Sequence, residues 1–274
     1  MISRKAAAQL GQETAQILKS GCYISTSGRT VDIGASVARA AEQTRSYPSD
    51  DKLLQVYGNY QETCFDVRNE TTLETGRRLV GQGYEVAALN FASAKNPGGG
   101  FLSGARAQEE SLARSSALYA CLSGNPMYDF HRALGGPMYT NYVIYSPDVP
   151  VIRTDDGVLL DEPWLCSFIT APAVNAKVVL QRDPSRHFEV GEVMRQRIQR
   201  ILTIATIHGH HTLVLGAWGC GAFGNNTQEI AALFREALIG EFQHAFERVV
   251  FAITDWSNEE RFIGPFRREF GGPS

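Results

Sequence analysis

The sequence lacks most of the features that would declare its chemistry at once. Its five cysteines, Cys22, Cys64, Cys121, Cys166 and Cys220, are odd in number, widely spaced and form no C-x-x-C pair. That excludes a disulfide scaffold and a structural zinc ribbon. No stretch approaches the ~20 apolar residues that a membrane-spanning helix needs. The opening Met-Ile-Ser-Arg-Lys, followed by an Ala/Gln-rich run, has no apolar signal-peptide core, so a cytoplasmic home is expected. Excess positive charge is missing too. A net charge of −3 and a pI near 6.1 argue against a broad nucleic-acid-binding surface. An anionic partner would have to be held by local backbone N–H groups and a few side chains. There is no internal repeat, low-complexity tract or linker. The triple-glycine loop at Gly98–Gly100 matches neither G-x-x-x-x-G-K-[ST] nor G-x-G-x-x-G, which leaves a P-loop and a dinucleotide fingerprint unsupported there. Ser115 and Ser116 sit in no nucleophile-elbow pattern.

What is present is the composition of a globular protein: 274 residues, 43% hydrophobic and 20% charged. A helix is predicted over 3–19, capped by Ser3 and ended by Gly21, then a short β-pair at 22–24 and 30–32. A second helix is predicted over 35–46, until Pro48. From there strands and helices alternate. Strands are predicted at 63–67, 85–91, 142–145, 165–171, 212–215 and 248–254. Helices are predicted at 72–81, 109–121, 188–208, 227–241 and 258–268. This rhythm predicts an α/β layered sandwich with a mixed sheet covered on both faces. One domain spanning 1–274 is expected, with residues 1–60 as an accessory, mainly helical extension.

Two strand–glycine–helix passages carry the chemical signal. In the first, the predicted strand ending at Phe91 leads into Asn96-Pro97-Gly98-Gly99-Gly100, and a helix opens at Gln108-Glu109-Glu110. Three glycines permit positive φ and a close approach of backbone to a ligand, although a tight structural loop would use them as well. Glu109 and Glu110 are adjacent, so a helix does not place them on one face. As plain first-turn acids they would complement the helix dipole. Beside a ligand loop, a carboxyl suits glycosidic-bond cleavage, which needs a proton for the leaving oxygen and stabilisation of an oxocarbenium-like centre. In the second passage, a predicted apolar strand ends in Gly219-Cys220-Gly221-Ala222-Phe223-Gly224-Asn225 before another helix. Its amides and helix N-terminus form a candidate diphosphate cradle. Phe223 reads either as a ring against a sugar or base, which we favour, or as a core plug. Cys220 has no basic neighbour in sequence and is rejected as a nucleophile. Trp218 is assigned to the core.

Other candidates are weaker. His208, His210 and His211 lie at a helix end without an acidic ligand at useful spacing, so metal binding is disfavoured. Arg195, Arg197 and Arg200 are expected on a solvated helix face.

The segment from Leu89 to Gly100, seven further residues and then Gln108-Glu109-Glu110 resembles the signature of poly(ADP-ribose) glycohydrolases. The Gly219–Asn225 loop and the chain length resemble the bacterial-type branch. The resemblance covers nearly the whole chain. It implies a three-layer α/β/α macrodomain-like fold, and it implies hydrolysis of ribose–ribose bonds in poly(ADP-ribose) to release ADP-ribose. Glu110 would be the general acid/base and Glu109 would hold the ribose hydroxyls. Asn96, Gly98, Gly99, Gly100 and Gln108 would line the catalytic side. Gly219, Cys220, Gly221, Ala222, Phe223, Gly224 and Asn225 would form the diphosphate loop, with Phe223 pressing the ribose toward Glu110. Adenine would meet the C-terminal region, with Asp255, Phe266 and Phe270 as candidates. The resemblance also implies no metal or redox cofactor, ADP-ribosylated proteins as partners, and a place in the DNA damage response. A monomer is the default state. An ADP-ribose reader without turnover, or a hydrolase removing single ADP-ribose units from protein or nucleobase, are the alternatives.

Overall fold

The computed structural model of the chain describes residues 2–54 and 58–271. Helix α1 (Arg4–Ser20) starts where the Ser3 hydroxyl accepts the Ala6 N–H, and it stops at Gly21 in the left-handed conformation, φ 74°. Strands β1 (Cys22–Ile24) and β2 (Thr30–Asp32) form a small antiparallel hairpin. Helix α2 (Gly34–Gln43) ends three residues before the predicted limit of 46. Arg45–Tyr47 form β3 instead, paired antiparallel with residues 143–145. The stretch before Pro48 is biased to extended backbone, and a waiting sheet edge takes it up. The N-terminal 60 residues are therefore not all helical, and β3 belongs to the main sheet; of that stretch, Met1 and residues 55–57 lie outside the described residues.

Strand β4 (Cys64–Arg68) is followed by α3 (Thr72–Gly81), whose Thr71 and Glu74 form a reciprocal capping box. Strand β5 (Val86–Phe91) leads into the first glycine loop and α4 (Gln108–Ser115). The helix predicted to run from 109 to 121 breaks at Ser116, which is extended (φ −143°, ψ 174°) and bridges to Val151. The Ala117 N–H donates to the Pro150 carbonyl at 2.8 Å, so sheet pairing interrupts the helical ladder there. Two short helices follow, α5 (Leu118–Leu122) and α6 (Pro126–Leu134). Next come the long strands β6 (Val143–Arg153) and β7 (Leu159–Ala171), then α7 (Ala176–Arg182) and α8 (His187–Ile207). The chain ends with β8 (Thr212–Leu215), α9 (Thr227–Ile239), β9 (Arg248–Ala252) and α10 (Ile263–Phe270).

Seven strands form one sheet in the order β3-β6-β7-β5-β8-β9-β4. Strands β7, β5, β8, β9 and β4 run parallel, while β6 and β3 close the far side antiparallel. Successive residues of a strand face opposite sides, so each central strand feeds two cores. Ala87, Leu89, Leu213 and Leu215 pack toward α7–α10, and Val86, Ala88 and Val214 pack toward α1–α6. The result is the three-layer arrangement anticipated from the alternating pattern.

This topology positions the site. All five parallel strands end on one edge, and β5 and β8 are neighbours, so their two glycine loops must emerge side by side. Gly216 shows how close they are: a Cβ there would lie 3.0 Å from Phe91 Cζ and 2.7 Å from the Ala252 carbonyl oxygen.

Candidate functional site

Helix α4 has Ala107 at its N-cap and no side-chain cap. Its first three side chains reach back over the preceding loop instead. Gln108 accepts the Phe91 N–H at 2.9 Å and donates to the Leu89 carbonyl (2.7 Å) and the Thr72 hydroxyl (3.1 Å). It is thereby a clamp on the end of β5, with its amide already engaged by the protein. Glu109 Oε2 accepts the Ser93 N–H at 2.7 Å, and Glu110 Oε1 accepts the Gly100 N–H at 2.9 Å. Both carboxyls converge on Gly99, although helix spacing alone places adjacent residues on different faces. The reason is that the loop folds over the helix N-terminus, toward which side chains of the first turn lean. Gly99 has φ 60°, and a Cβ on it would lie 2.2 Å from Glu110 Oε1 and 3.0 Å from Glu109 Oε2. Only glycine leaves room for the pair.

The two glutamates are 3% and 9% exposed, unusual for first-turn acids. Each keeps one buried oxygen, Glu109 Oε1 and Glu110 Oε2, that meets no protein donor among the described residues. Burial pushes the Glu109 carboxyl from 4.5 to about 8; the Ser93 amide opposes this and the neighbouring Glu110 reinforces it. Beneath them lie Asn90, fully buried and donating to the Thr170 hydroxyl at 3.2 Å, and the buried Tyr128. Ser93 secures the loop further, its hydroxyl accepting the Lys95 and Asn96 N–H groups. Asn96 itself is exposed at the loop's outer turn, and its carbonyl accepts the Gly99 N–H. Asn90, Ser93 and Tyr128 went unnoticed in the sequence, although Asn90 is a polar residue in an otherwise apolar strand and was a readable signal.

The second loop is built differently. Gly219 (φ 75°) and Gly224 (φ 66°) make its bends. Asn225 ties the base together, donating to the Val174 carbonyl at 2.8 Å and the Gly219 carbonyl at 3.0 Å. Its amide is structural and faces inward. Trp218 is fully buried, with its indole N–H on the Ala171 carbonyl, as the core assignment expected. The Cys220 side chain is buried and its thiol is pushed up to about 12, which leaves no thiolate at neutral pH. Gly221 and Ala222 form the exposed crest. Among the described residues, the N–H groups of Gly221, Ala222 and Phe223 donate to no protein acceptor. Phe223 is half-buried, packed on the core and 6.3 Å from the Tyr139 ring. It is partly a plug and partly a free face.

Several sequence expectations are corrected. Asp255 is buried, and its two oxygens accept the N–H groups of Ser257, Phe262 and Ile263 and the Ser257 hydroxyl. Burial raises its carboxyl, but these bonds outweigh that and hold it down at about 2. It shapes the loop before α10 and has no free oxygen for a base. Phe266 and Phe270 are 0% and 7% exposed and pack on Phe251. The exposed aromatic in this region is Trp256, at 81%, on a loop that Asn69 clamps through both the Asp255 N–H and carbonyl. Arg197 is 1% exposed, not solvated, because it lies about 200° around α8 from Arg195 and so faces the sheet. Arg200 is half-buried against the Tyr47 and Pro48 carbonyls, and only Arg195 holds surface carboxylates, Glu192 and Glu236. The histidines are occupied by aromatics: His208 with the Tyr47 hydroxyl and His210 with that of Tyr145, both at 2.7 Å.

Comparison with known proteins converges on one family. The domain described as "Microbial-type PARG, catalytic domain" matches residues 11–154. The crystal structure of poly(ADP-ribose) glycohydrolase from Thermomonospora curvata is 44% identical with a TM-score of 0.92, covering 97% of this chain and 100% of that one. The same enzyme bound to the inhibitor ADP-HPD is 43% identical with a TM-score of 0.89 over the same shares of both chains. The poly(ADP-ribose) glycohydrolase of Deinococcus radiodurans in complex with ADP-ribose is 43% identical with a TM-score of 0.81, covering 86% of this chain and 97% of that one. No curated protein matches the chain.

Proposed function

The chain belongs to the microbial-type poly(ADP-ribose) glycohydrolase family, and from that premise we propose that it hydrolyses the ribose–ribose O-glycosidic bonds of poly(ADP-ribose), releasing ADP-ribose. The observation that carries this reading is the convergence of two buried carboxyls on Gly99, each with an oxygen that no donor among the described residues uses. A binding module needs no such pair.

Glu110 is the general acid/base. Protonated, it gives its proton to the oxygen leaving the anomeric carbon of the ribose. The C–O bond breaks with its electron pair going to that oxygen, and an oxocarbenium-like centre develops at the carbon. Glu110, now a carboxylate, takes a proton from the water that attacks the same carbon. The Gly100 N–H on Oε1 fixes the carboxyl's orientation and leaves Oε2 for the proton. Glu109 binds ribose hydroxyls through Oε1, its other oxygen being held by Ser93.

The amides of Gly221, Ala222 and Phe223 take the diphosphate, which lets a chain of net charge −3 hold a polyanion without a basic surface. Phe223 offers its free face to the ribose. Trp256 stacks adenine at the far end of the cleft, in the role first sought at Phe266 and Phe270. No helix among the described residues is long and apolar enough to cross a membrane.

The test compares the wild type with Glu110→Gln on poly(ADP-ribose) and on mono-ADP-ribosylated protein. Free ADP-ribose should appear from the polymer, and the variant should lose about 10²–10⁴-fold in rate while still binding ADP-ribose. Binding without turnover in the wild type would identify a reader instead. Release only from the mono-modified protein would assign the site to single ADP-ribose units.

A further inference from the structure

Among the described residues, Arg197 is the most deeply buried arginine, at 1% exposure. Buried guanidinium groups are normally paired with a carboxylate. None of the described carboxylates pairs with this one; Tyr139 favours its charge, and Arg197 in turn disfavours a charge on His131. Burial lowers its pKa to about 9, which still leaves it charged at neutral pH. Its donors go to three oxygens from two chain segments. Nε donates to Asn141 Oδ1 at 3.1 Å, Nη2 to the Met138 carbonyl at 2.5 Å, and Nη1 to the Pro172 carbonyl at 2.9 Å.

Both segments touch the second glycine loop. Tyr139, adjacent to Met138, sits at φ 55°, a backbone state that a tyrosine holds only when its surroundings impose it. Its ring lies 6.3 Å from that of Phe223. On the other side, Pro172 leads to Val174, whose carbonyl accepts Asn225 Nδ2, and to Lys177, whose N–H donates to the Phe223 carbonyl at 2.8 Å. The segments are also joined directly, the Asn175 N–H donating to the Pro137 carbonyl at 2.9 Å. Phe223 is therefore gripped by its ring on one side and its carbonyl on the other. The Arg197 guanidinium bridges the two segments that carry these grips, beside the Asn175–Pro137 bond.

We infer that Arg197 is a positioning residue for the anion-binding loop: from beneath the sheet edge it sets the place of Phe223 and of the open amides beside it. The inference rests on the function proposed for that loop. A planar fork with five donors suits the task because three oxygens converge from different directions. An apolar side chain would fill the volume and leave the Met138 and Pro172 carbonyls without these donors.

The experiment uses the full chain with Arg197→Met and Arg197→Lys, read by ADP-ribose affinity, polymer kinetics and amide hydrogen exchange. In Arg197→Met, exchange should accelerate in residues 216–226 while the amides of β5 and β8 keep their protection. The ADP-ribose Kd should rise about tenfold, and KM should rise more than kcat falls. Arg197→Lys, which keeps charge and donors but not the fork, should recover part of each loss. A folded Arg197→Met variant with unchanged loop exchange and unchanged Kd overturns the inference. If that variant does not fold, Arg197→Lys decides: wild-type loop exchange together with wild-type Kd overturns the inference, and faster loop exchange with a raised Kd supports it. A wild type that neither binds ADP-ribose nor cleaves polymer would sink the functional reading itself, a result separate from any of these.

Discussion

The two glycine loops share a plan and differ in what their amides do. Both leave a parallel strand, turn on glycines with positive φ and enter a helix, and their strands are neighbours in the sheet. In the first loop the protein supplies the acceptor oxygens itself, Glu109 on the Ser93 amide and Glu110 on the Gly100 amide. In the second loop the crest amides of residues 221–223 meet no protein acceptor among the described residues. One loop is closed around its own carboxyls and the other is open to a ligand's oxygens. Chemistry and affinity are thus divided between two copies of one motif, because a loop cannot give the same N–H groups to a catalytic carboxyl and to a phosphate.

The largest break in this comparison comes from Gly99. An added Cβ would meet Glu110 Oε1 at 2.2 Å, and φ 60° adds a backbone penalty of roughly 1–2 kcal/mol. Gly99→Ala should displace the carboxyl and cost on the order of 100-fold in kcat, with ADP-ribose affinity much less affected. Steady-state kinetics beside calorimetric binding would check it. An active Gly99→Ala would mean that the carboxyls do not work from the position seen here.

The next effect is on pH. Folding raises the Glu109 carboxyl from 4.5 to about 8, so the folded chain holds a proton there that the unfolded chain has released. The stabilisation is complete below pH 4.5 and is lost as pH rises through about 8. Roughly a few kcal/mol should disappear across that window, less any relaxation of the buried site. Glu109→Gln keeps the shape, removes the charge and should flatten the profile. Its melting temperature should exceed that of the wild type at pH 9 and match it near pH 5. Parallel profiles for the two proteins would show that Glu109 is not the group responsible.

The difference between the loops also marks how far the sequence could be read. Largely apolar strands, such as Thr212–Leu215, and helices with local stop and start signals, such as Thr72–Gly81 after Thr71, were legible because neighbouring residues decide them. Strand β3 and the break at Ser116 were not, since each exists through pairing with residues about a hundred or some thirty-five positions away. At the site, the glycines and the carboxyls were legible from type and spacing. Gln108, Asn225 and Asp255 are expected from the sequence as ligand contacts, yet each makes hydrogen bonds to backbone groups of the protein. Residue type does not reveal whether a polar group is already partnered. Arg197 escaped for the same reason: on an amphipathic helix, a charge facing inward is visible only once its three acceptors are in place.

The smallest expected effect is the most discriminating. Gly221 has no atom within 4 Å of an added Cβ and does not require positive φ, so the protein itself has no need of glycine there. Gly221→Ala should leave thermal stability unchanged or raise it by up to ~1 kcal/mol, through the lower entropy of the unfolded chain. If a diphosphate lies against the crest, the methyl group should still hold it off and weaken ADP-ribose binding, by roughly three- to tenfold. Stability and affinity then move independently, the reverse of Gly99, where the glycine answers to the protein's own carboxyls. Unchanged affinity in Gly221→Ala would move the anion away from this amide and toward the helix N-terminus that Asn226 caps through the Gln228 and Glu229 N–H groups. An anion there would have to displace that cap, so Asn226→Ala would tighten binding in that case and leave it unchanged in ours.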